Sequence, residues 1–326
     1  MTHPARRRPL RSVALMTLSL LTGVTGAQPA DAPIRIVVGY PPGQTVDIIA
    51  RNYAAALARD LGRSVYVENR AGANGIMGAQ EVKRSRPDGT TLLFGTLGQL
   101  AINPSLYKAL PYNPVKDFAP VSLVSIGPLL LVANPEFPAR NVRELVSYAR
   151  TRPDQINYGS GGNGITAHLA MERLQQQAGI KLRHIPYKGS PAALADVMSN
   201  QVSLSFDALP SVMPHVQSGK LKALGISGKS RSPQLPNVET LAEQGLSSFE
   251  VYSWVGILAP AGTPAATIAR LNAAVRRASS AEPIQASLRA TGSESVQESP
   301  AYFAKFLLQE EARWSRVVRQ AQVQID

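Results

Sequence analysis

Apolar runs that alternate with amphipathic stretches organise most of the chain. The segment Ile34 to Tyr40 (IRIVVGY) is a β-branched run typical of a strand buried on both faces. The stretch after it, Asp47 to Leu61, places apolar side chains on one face at helical spacing. The same alternation predicts strands at 64–68, 90–96, 156–158, 182–187, 202–206, 221–227 and 254–258, and helices at 76–84, 141–151, 165–178, 191–199, 210–218, 264–279 and 300–321. Repeated strand–helix units indicate an α/β fold with parallel sheets and helices on both faces.

Two long β-rich runs divide this series. The run at 121–133 leads from one set of strand–helix units into the next without a helix, and the run at 249–259 returns in the same way. We therefore predict two lobes with two parallel-rich sheets and a two-strand hinge: 33–128 plus 250–326 form lobe 1, and 129–249 form lobe 2. Ligands of open α/β sheets bind beyond the carboxyl ends of the strands, so the cleft between the lobes is the expected site.

The N-terminal 27 residues have the pattern of a secretory signal peptide. Four arginines between positions 6 and 11 precede the apolar run Val13 to Leu21, and small residues lead to Ala27. The apolar run is shorter than the ~20 residues of a membrane span, although a membrane anchor or a buried helix is the alternative. Cleavage near Ala27 would release a periplasmic protein by the Sec route or, less in keeping with Arg11, by the twin-arginine route. The chain has no cysteine, which excludes disulfides, thiolate catalysis and Cys-bound zinc.

The positive charge does not indicate a nucleic-acid partner. Lysine and arginine total 34 against 22 acidic residues, for a formal charge of +12, but they are scattered and form no run of five. Aromatic residues make up only 6% of the chain and form no stacking motif. The charge fits a solvated surface that attracts small anions.

The first candidate anion site is the loop between the strand at 34–40 and the helix at 47–61. Its prolines fix φ and its glycine permits unusual angles, so the amides after Gly43 can point outward beside the positive end of the helix dipole. Asp47 is expected to cap the helix. A plain strand-to-helix turn explains the same residues, and both interpretations stay open. The candidate ligand-binding residues here are Tyr40, Pro42, Gly43, Gln44, Thr45, Val46 and Asp47, with Thr96 at the end of another strand.

The second candidate is the glycine-rich loop between the strand at 156–158 and the helix at 165–178. It matches G-x-G-x-x-G, but the next strand ends in Pro186-Tyr187-Lys188 without the acidic residue that a dinucleotide site needs. A cradle for a carboxylate fits better. The candidate residues are Ser160, Gly161, Gly162, Asn163, Gly164, Thr166 and His168, joined by Lys188 and Asp207. Lys188 is otherwise a solvated lysine, and Asp207 is otherwise a cap of the next helix.

The motifs of common enzymes are missing. Ser160 lacks the G-x-S-x-G elbow, Gly228-Lys229-Ser230 lacks the upstream glycine of a P-loop, and the histidines show no metal-binding spacing. We assign no catalytic residue, metal or cofactor, and expect His168 and His184 to be structural hydrogen-bonding residues. The alternative is a secreted hydrolase acting on a small carboxylate or ester, for which Ser160 with His168 is the only sequence-near pair.

Motifs across nearly the whole exported chain resemble a known family. They are Val67-Glu68-Asn69-Arg70, Pro87-Asp88-Gly89, Ala101-Ile102-Asn103-Pro104, Asp117-Phe118-Ala119-Pro120-Val121, Pro186-Tyr187-Lys188-Gly189, Phe206-Asp207 and Leu258-Ala259-Pro260-Ala261-Gly262-Thr263-Pro264. The chain resembles the periplasmic solute-binding receptors of tripartite tricarboxylate transporters, the Bug receptors. The resemblance implies a two-lobed, type II-like Venus-flytrap fold that holds a ligand carboxylate between the 40–47 and 159–168 loops, partly through waters. It also implies membrane permease subunits or a sensor as partner, and a monomer.

One departure from that family bears on the ligand. The family loop usually reads Pro-Pro-Gly-Gly-Ser-Thr-Asp, whereas here Gln44 stands for a glycine and Val46 for a threonine. Gln44 adds bulk and Val46 removes a hydroxyl donor. We therefore predict a ligand smaller or less polar than a tricarboxylate.

Overall fold

The computed structural model describes residues 1–2, 32–290, 292–321 and 323, so the predicted signal peptide lies almost entirely outside the described residues. The strands are β1 (Ile34–Val38), β2 (Val65–Asn69), β3 (Thr91–Thr96), β4 (Phe118–Ala133), β5 (Asn157–Ser160), β6 (Arg183–Pro186), β7 (Leu204–Ala208), β8 (Lys222–Ile226), β9 (Tyr252–Pro260) and β10 (Glu294–Ser295). The helices are α1 (Thr45–Leu61), α2 (Ile76–Lys83), α3 (Asn103–Leu106), α4 (Val142–Arg150), α5 (Thr166–Ala178), α6 (Ser190–Met198), α7 (Leu209–Gln217), α8 (Ala265–Ser279), α9 (Glu282–Ala290) and α10 (Pro300–Ala321). A 3₁₀ turn at Ala73–Gly75 precedes α2, and a π-helix at Gly98–Ile102 precedes α3.

Two mixed sheets share the long strand β4. In the first sheet β1 lies parallel to β2 and β3, while β9 pairs antiparallel with both β3 and β4. In the second sheet β5 lies parallel to β6 and β7, and β4 pairs antiparallel with β7 and β8. The parallel pairs come from the strand–helix units, as the sequence predicted, and the antiparallel pairs come from the crossing strands β4 and β9.

Strand β4 changes sheets in its middle. Its residues Phe118 to Pro128 pair with β9, and from Leu129 onward it pairs with β7 and β8. The chain returns at Val251, whose amide donates to the Ser227 carbonyl at 3.0 Å, before β9 begins at Tyr252. This arrangement gives a two-lobed fold with a sheet in each lobe.

The apolar faces of the helices cover both sheets. Helix α1 buries Tyr53 and Leu57 against β1 and β3, because its apolar residues recur at helical spacing. The C-terminal helix α10 packs against β4, α3 and α5, so a single apolar cluster extends from the first sheet to the second. Within the described part of the chain, none of the helices is long and apolar enough to cross a membrane.

Candidate functional site

The strand directions bring the two candidate loops to the junction of the sheets. Strands β1 and β3 run in the same direction as β4, so their carboxyl ends point toward the point where β4 leaves the first sheet. Strands β5 and β7 run opposite to β4, so their carboxyl ends point back toward the same point. Thr96 is level with Ser125 of β4 through Val255, and Asp207 is level with Leu130. Five strand residues therefore separate the two edges along β4, roughly 17 Å.

The loop of lobe 1 ends in a helix without a side-chain cap. Gln44 is the N-cap of α1, and its side chain makes no capping hydrogen bond. The amides of the first turn therefore lack the acceptor that Ser, Thr, Asn or Asp would supply at this position. Pro41, Pro42, Gly43 and Gln44 are exposed, whereas Thr45 and Val46 are half-buried. Gly43 has φ of +83°, a left-handed conformation that glycine adopts without strain.

Asp47 supports this loop from beneath. It is only 2% exposed, and it is not the N-cap that the sequence led us to expect, because α1 begins two residues earlier. Its carboxylate accepts from the Gly43 amide (2.9 Å), Arg51 Nε (3.0 Å) and Asn69 Nδ2 (2.9 Å). Burial alone would raise the pKa of Asp47, but these hydrogen bonds outweigh it and hold the pKa below its usual value. Asp47 is therefore an ionised group that shapes the loop.

Tyr40 and Thr96 form a hydrogen-bonded pair on the lobe 1 side of the junction. The Tyr40 hydroxyl lies 2.9 Å from Thr96 Oγ1, which joins the end of β3 to the first candidate loop. Asn69 also donates to the Tyr40 carbonyl at 3.0 Å. Thr96 and Tyr40 are both half-buried, so the pair lies at the edge of the junction.

A strained loop that the sequence did not predict lies beside this pair. Residues 72–75 all have positive φ, including the non-glycine Ala73 (+46°) and Asn74 (+53°). Buried Gln99 holds the loop by donating to the Gly75 carbonyl at 2.8 Å, and Asn103 bonds Asn74 at 3.0 Å. Such strain persists only where surrounding contacts impose it and is frequent at functional sites. The only signal in the sequence was the Ala-Gly-Ala-Asn-Gly run at 71–75.

The loop of lobe 2 repeats the design of the first. Helix α5 has Ile165 as its N-cap, again without a side-chain capping bond. The Gly164 amide donates to His168 Nδ1 at 2.9 Å, as the Gly43 amide does to Asp47. In both loops, therefore, the side chain of the third helical residue accepts a hydrogen bond from the backbone amide of the residue before the N-cap. Asn163 is exposed, Gly161, Gly162 and Thr166 are half-buried, and Gly164 is buried.

Close backbone approach fixes the first half of this loop. The Tyr187 and Gly189 amides donate to the carbonyls of Ser160 (2.9 Å) and Gly161 (3.1 Å). A Cβ at Gly161 would lie 2.8 Å from the Ser190 amide nitrogen, so a glycine is needed there. Lys188, between the two donors, is exposed.

Two stacked imidazoles lie beneath the lobe 2 loop. The rings of His168 and His184 are 3.8 Å apart and almost parallel, and His184 also stacks on Tyr158. Burial, and then the neighbouring His184, lowers the pKa of His168 to about 3, while burial lowers the pKa of His184 to about 4. Both rings are therefore neutral at pH 7, and both make hydrogen bonds, in keeping with the structural role expected for them.

In the structure Ser160 pairs with a different histidine from the one considered for a hydrolase. Ser160 Oγ lies 2.6 Å from His184 Nε2, not against His168, whose Nδ1 is occupied by Gly164. Ser160 is 1% exposed, and its hydroxyl also contacts the Gly162 carbonyl at 2.9 Å. A buried hydroxyl beside an imidazole of such low basicity is poorly suited to nucleophilic attack.

Asp207 is the last residue but one of β7 and lies beside the same loop. It is 7% exposed, its Oδ1 accepts from the Ala208 amide at 2.7 Å, and the N-cap of α7 is Ala208 rather than Asp207. Burial raises the pKa of Asp207, against smaller opposing effects of the Ser190 and Ser211 hydroxyls. Across the described residues, no cluster of three His, Cys, Asp or Glu side chains forms a metal site.

Fold and site together define a class: a two-lobed α/β protein in which the two candidate loops, each at a helix N-terminus, lie at the junction of the lobes. The family model TctC, described as the tripartite tricarboxylate transporter family receptor, matches residues 49–323 of this chain. BugT of Bordetella pertussis is 34% identical over 316 residues, which cover 95% of this chain and 97% of BugT. The chain belongs to the TctC receptor family, whose members are periplasmic solute-binding receptors.

Solved structures agree with this family. R. palustris Rpa4515 with adipate has a TM-score of 0.82 at 34% identity and covers 89% of this chain and 97% of its own. MatC from Rhodopseudomonas palustris with bound malate has a TM-score of 0.79 at 34% identity and covers 88% of this chain and 98% of its own. The family resemblance seen in the sequence is thereby confirmed.

Proposed function

We propose that this receptor captures a small carboxylate between the two loops and presents it to the permease of a tripartite transporter or to a sensor. The observation that carries the proposal is the pair of uncapped helices, α1 and α5, whose N-termini follow strands directed at one junction. Backbone amides at helix N-termini bind carboxylates through hydrogen bonds and through the helix dipole. Adipate and malate in two related structures support a carboxylate ligand.

The ligand class follows from the first loop. Gln44 is exposed at the N-cap of α1 and adds bulk, and Val46 offers no hydroxyl. We expect a monocarboxylate or a slender dicarboxylate to bind more tightly than citrate. The 17 ligand-binding candidates named from the sequence remain our proposal for the site, with Asp47 and Ser160 acting from beneath the surface.

The proposal also covers the lobe boundaries, the export of the protein, its oligomeric state and the absence of catalysis. Lobe boundaries at 128/129 and 249/250 agree with the change of pairing on β4 and the return at Val251. Export with cleavage near Ala27 would deliver a monomer to the periplasm. Binding without catalysis fits the buried Ser160 hydroxyl.

A ligand screen tests the function. Protein purified from the periplasm is heated with adipate, malate, citrate, benzoate or nicotinate, and hydrolysis of the corresponding esters is followed in parallel. At 100 times Kd a ligand adds about 2.7 kcal/mol of stability, which raises Tm by several degrees. A selective shift without ester hydrolysis supports the receptor. Turnover of an ester, or the absence of any shift, would contradict it, and N-terminal sequencing checks the cleavage site.

A further inference from the structure

The two helix N-termini at the junction differ in the charge beneath them. In α1 the side chain that accepts the loop amide is the carboxylate of Asp47, which is ionised. In α5 the corresponding acceptor is the imidazole of His168, and α5 has no acidic residue in its first turn. The bond geometry is the same in both loops, 2.9 Å from the amide to the third helical residue.

This difference sets the electrostatic potential at the free amides. A carboxylate in the first turn satisfies the positive end of a helix dipole and repels a second anion. A neutral imidazole leaves that positive end uncompensated. Because His168 is only 5% exposed and its Nδ1 is held by Gly164, it accepts the amide without bringing a charge to the site.

More distant charges do not reverse the comparison. Arg51 pairs with Asp47 from the second turn of α1, but its side chain is half-exposed. Glu172 lies one turn beyond His168 in α5, 3.8 Å from Nε2, and is engaged by the Tyr158 hydroxyl at 2.6 Å. The dipole interaction falls off within the first turn, so the group nearest the amides dominates. Exposed Lys188 adds a cation to the lobe 2 side. Asp207, the carboxyl group beside the same loop, accepts from the Ala208 amide at 2.7 Å, and burial raises its pKa and so favours its neutral form.

We propose that the charge of the ligand carboxylate is held by lobe 2, at the N-terminus of α5, and that His168 is the positioning residue that keeps this site positive by accepting the Gly164 amide as a neutral group. The α1 loop then supplies uncharged contacts when it meets the ligand. This assignment rests on the proposed function and specifies which lobe holds the charge of the ligand.

Paired substitutions at His168 separate charge from shape. His168→Asn and His168→Asp both place an oxygen where it can accept from Gly164, as Asp47 does from Gly43, and they differ by one charge. We expect H168D to bind the selected carboxylate at least tenfold more weakly than H168N at pH 8, because two anions then lie a few ångströms apart. The primary amide of the same acid should show a much smaller difference. A purely structural role would give both variants the same affinity.

A second pair tests the two lobes without touching a buried group. Asn163→Asp and Gln44→Glu each convert an exposed amide to an acid, one in each loop. We expect N163D to weaken carboxylate binding several-fold more than Q44E, with the Tm of the ligand-free proteins unchanged in both. An equal or larger effect of Q44E would overturn the assignment to lobe 2.

Measurements on the wild-type protein distinguish failure of the proposed function from failure of the inference alone. Isothermal titration with each of the five acids of the screen shows first whether a carboxylate binds. Absence of binding by the wild type would contradict the proposed function and the inference with it. Binding by the wild type, with equal affinities for H168D and H168N, would overturn the inference alone.

Discussion

The paired imidazoles of lobe 2 show how a buried residue can serve an exposed loop. His168 and His184 hold Gly164 and Ser160 through one ring nitrogen each, and the rings stack at 3.8 Å. A proton on His168 Nδ1 would face the Gly164 N–H, donor against donor. The Gly164 bond therefore forms only while His168 Nδ1 is unprotonated, whereas His184 Nε2 can bond to Ser160 Oγ as donor or as acceptor.

Acid should weaken the fold through these rings. Both have a lower pKa in the folded protein, about 3 and about 4, than the ~6.5 of an unfolded histidine. Between pH 6.5 and pH 4 the unfolded chain binds more protons, so stability is present above this window and is lost as the pH falls through it. We expect Tm to fall across this range and His184→Gln to reduce the slope, as measured by calorimetry. An unchanged slope in a variant that folds normally at pH 8 would contradict this.

Asp47 provides a second prediction for a single residue. Removal of its carboxylate in Asp47→Ala leaves the Gly43 amide, Arg51 and Asn69 without their acceptor. We expect the free energy of unfolding in urea to fall by about 2–3 kcal/mol, since the lost hydrogen bonds are buried and involve a charge.

The control for Asp47 lies on the same helix. Asp60 pairs at 2.7 Å with Arg277, whose side chain is 60% exposed, so the pair lies at the surface. Exposed pairs contribute about 0–1 kcal/mol, so Asp60→Ala should have a small effect. Equal losses for both variants would show that Asp47 does not support the loop.

At the scale of the elements, glycine is required for different reasons in the two loops. Gly161 does not have a left-handed φ, but it has no room, because a Cβ would lie 2.8 Å from the Ser190 amide nitrogen. Gly43 has room, with nothing within 4 Å of a Cβ, but its φ is +83°. The first needs glycine for close approach, the second for conformation.

Alanine substitutions distinguish these roles. We expect Gly161→Ala to lower stability by about 1–3 kcal/mol and to weaken carboxylate binding, because α6 must move away from the loop. Gly43→Ala should lower stability by about 1–2 kcal/mol through the left-handed backbone alone. Thermal unfolding and titration measure both quantities. Comparable binding of the selected carboxylate by Gly161→Ala and the wild type would contradict the close-approach explanation.

The elements also show what the sequence can and cannot predict. Helix α1 and strand β1 were visible because apolar spacing reports burial on one or both faces. The nine-residue α9 and the two-residue β10 were missed, since neither has the length for a clear period. The strained loop at 72–75 depends on Gln99 and Asn103, which come from elsewhere in the chain. The Ser160–His184 contact likewise arises from the pairing of β5 with β6, which no local pattern encodes.

At the scale of the whole molecule, helix α10 contacts elements of both lobes. Although its chain position assigns it to lobe 1, it packs against α5 as well as β4 and α3. Helix α5 bears His168 at its N-terminus, so α10 contacts the element that we propose to bind the anion. Movement of one lobe against the other therefore has to preserve or rearrange this packing.

Glu310 is a buried carboxylate that holds α10 against β9 within lobe 1. It is 7% exposed and accepts from Trp254 Nε1 of β9 at 2.9 Å and from Trp314 Nε1 of α10 at 3.2 Å, with Arg313 at 3.3 Å. Trp254 follows the returning crossing closely, and the chain has no other tryptophans than these two. One carboxylate thus ties α10 to β9, the lobe 1 strand that begins just after the chain returns from lobe 2.

Removal of this carboxylate should loosen α10 from β9, and the two tryptophans should report the change. We expect Glu310→Ala to lower the free energy of unfolding by about 2–4 kcal/mol, because two buried indole N–H groups lose their acceptor. Both tryptophans should change emission, and the change produced by a bound carboxylate should differ from that of the wild type. Exposed Gln309→Ala on the same helix should alter neither quantity. If Glu310→Ala unfolds and fluoresces like Gln309→Ala, Glu310 does not hold α10 against β9, and the apolar contacts of α10 with β4, α3 and α5 account for its packing.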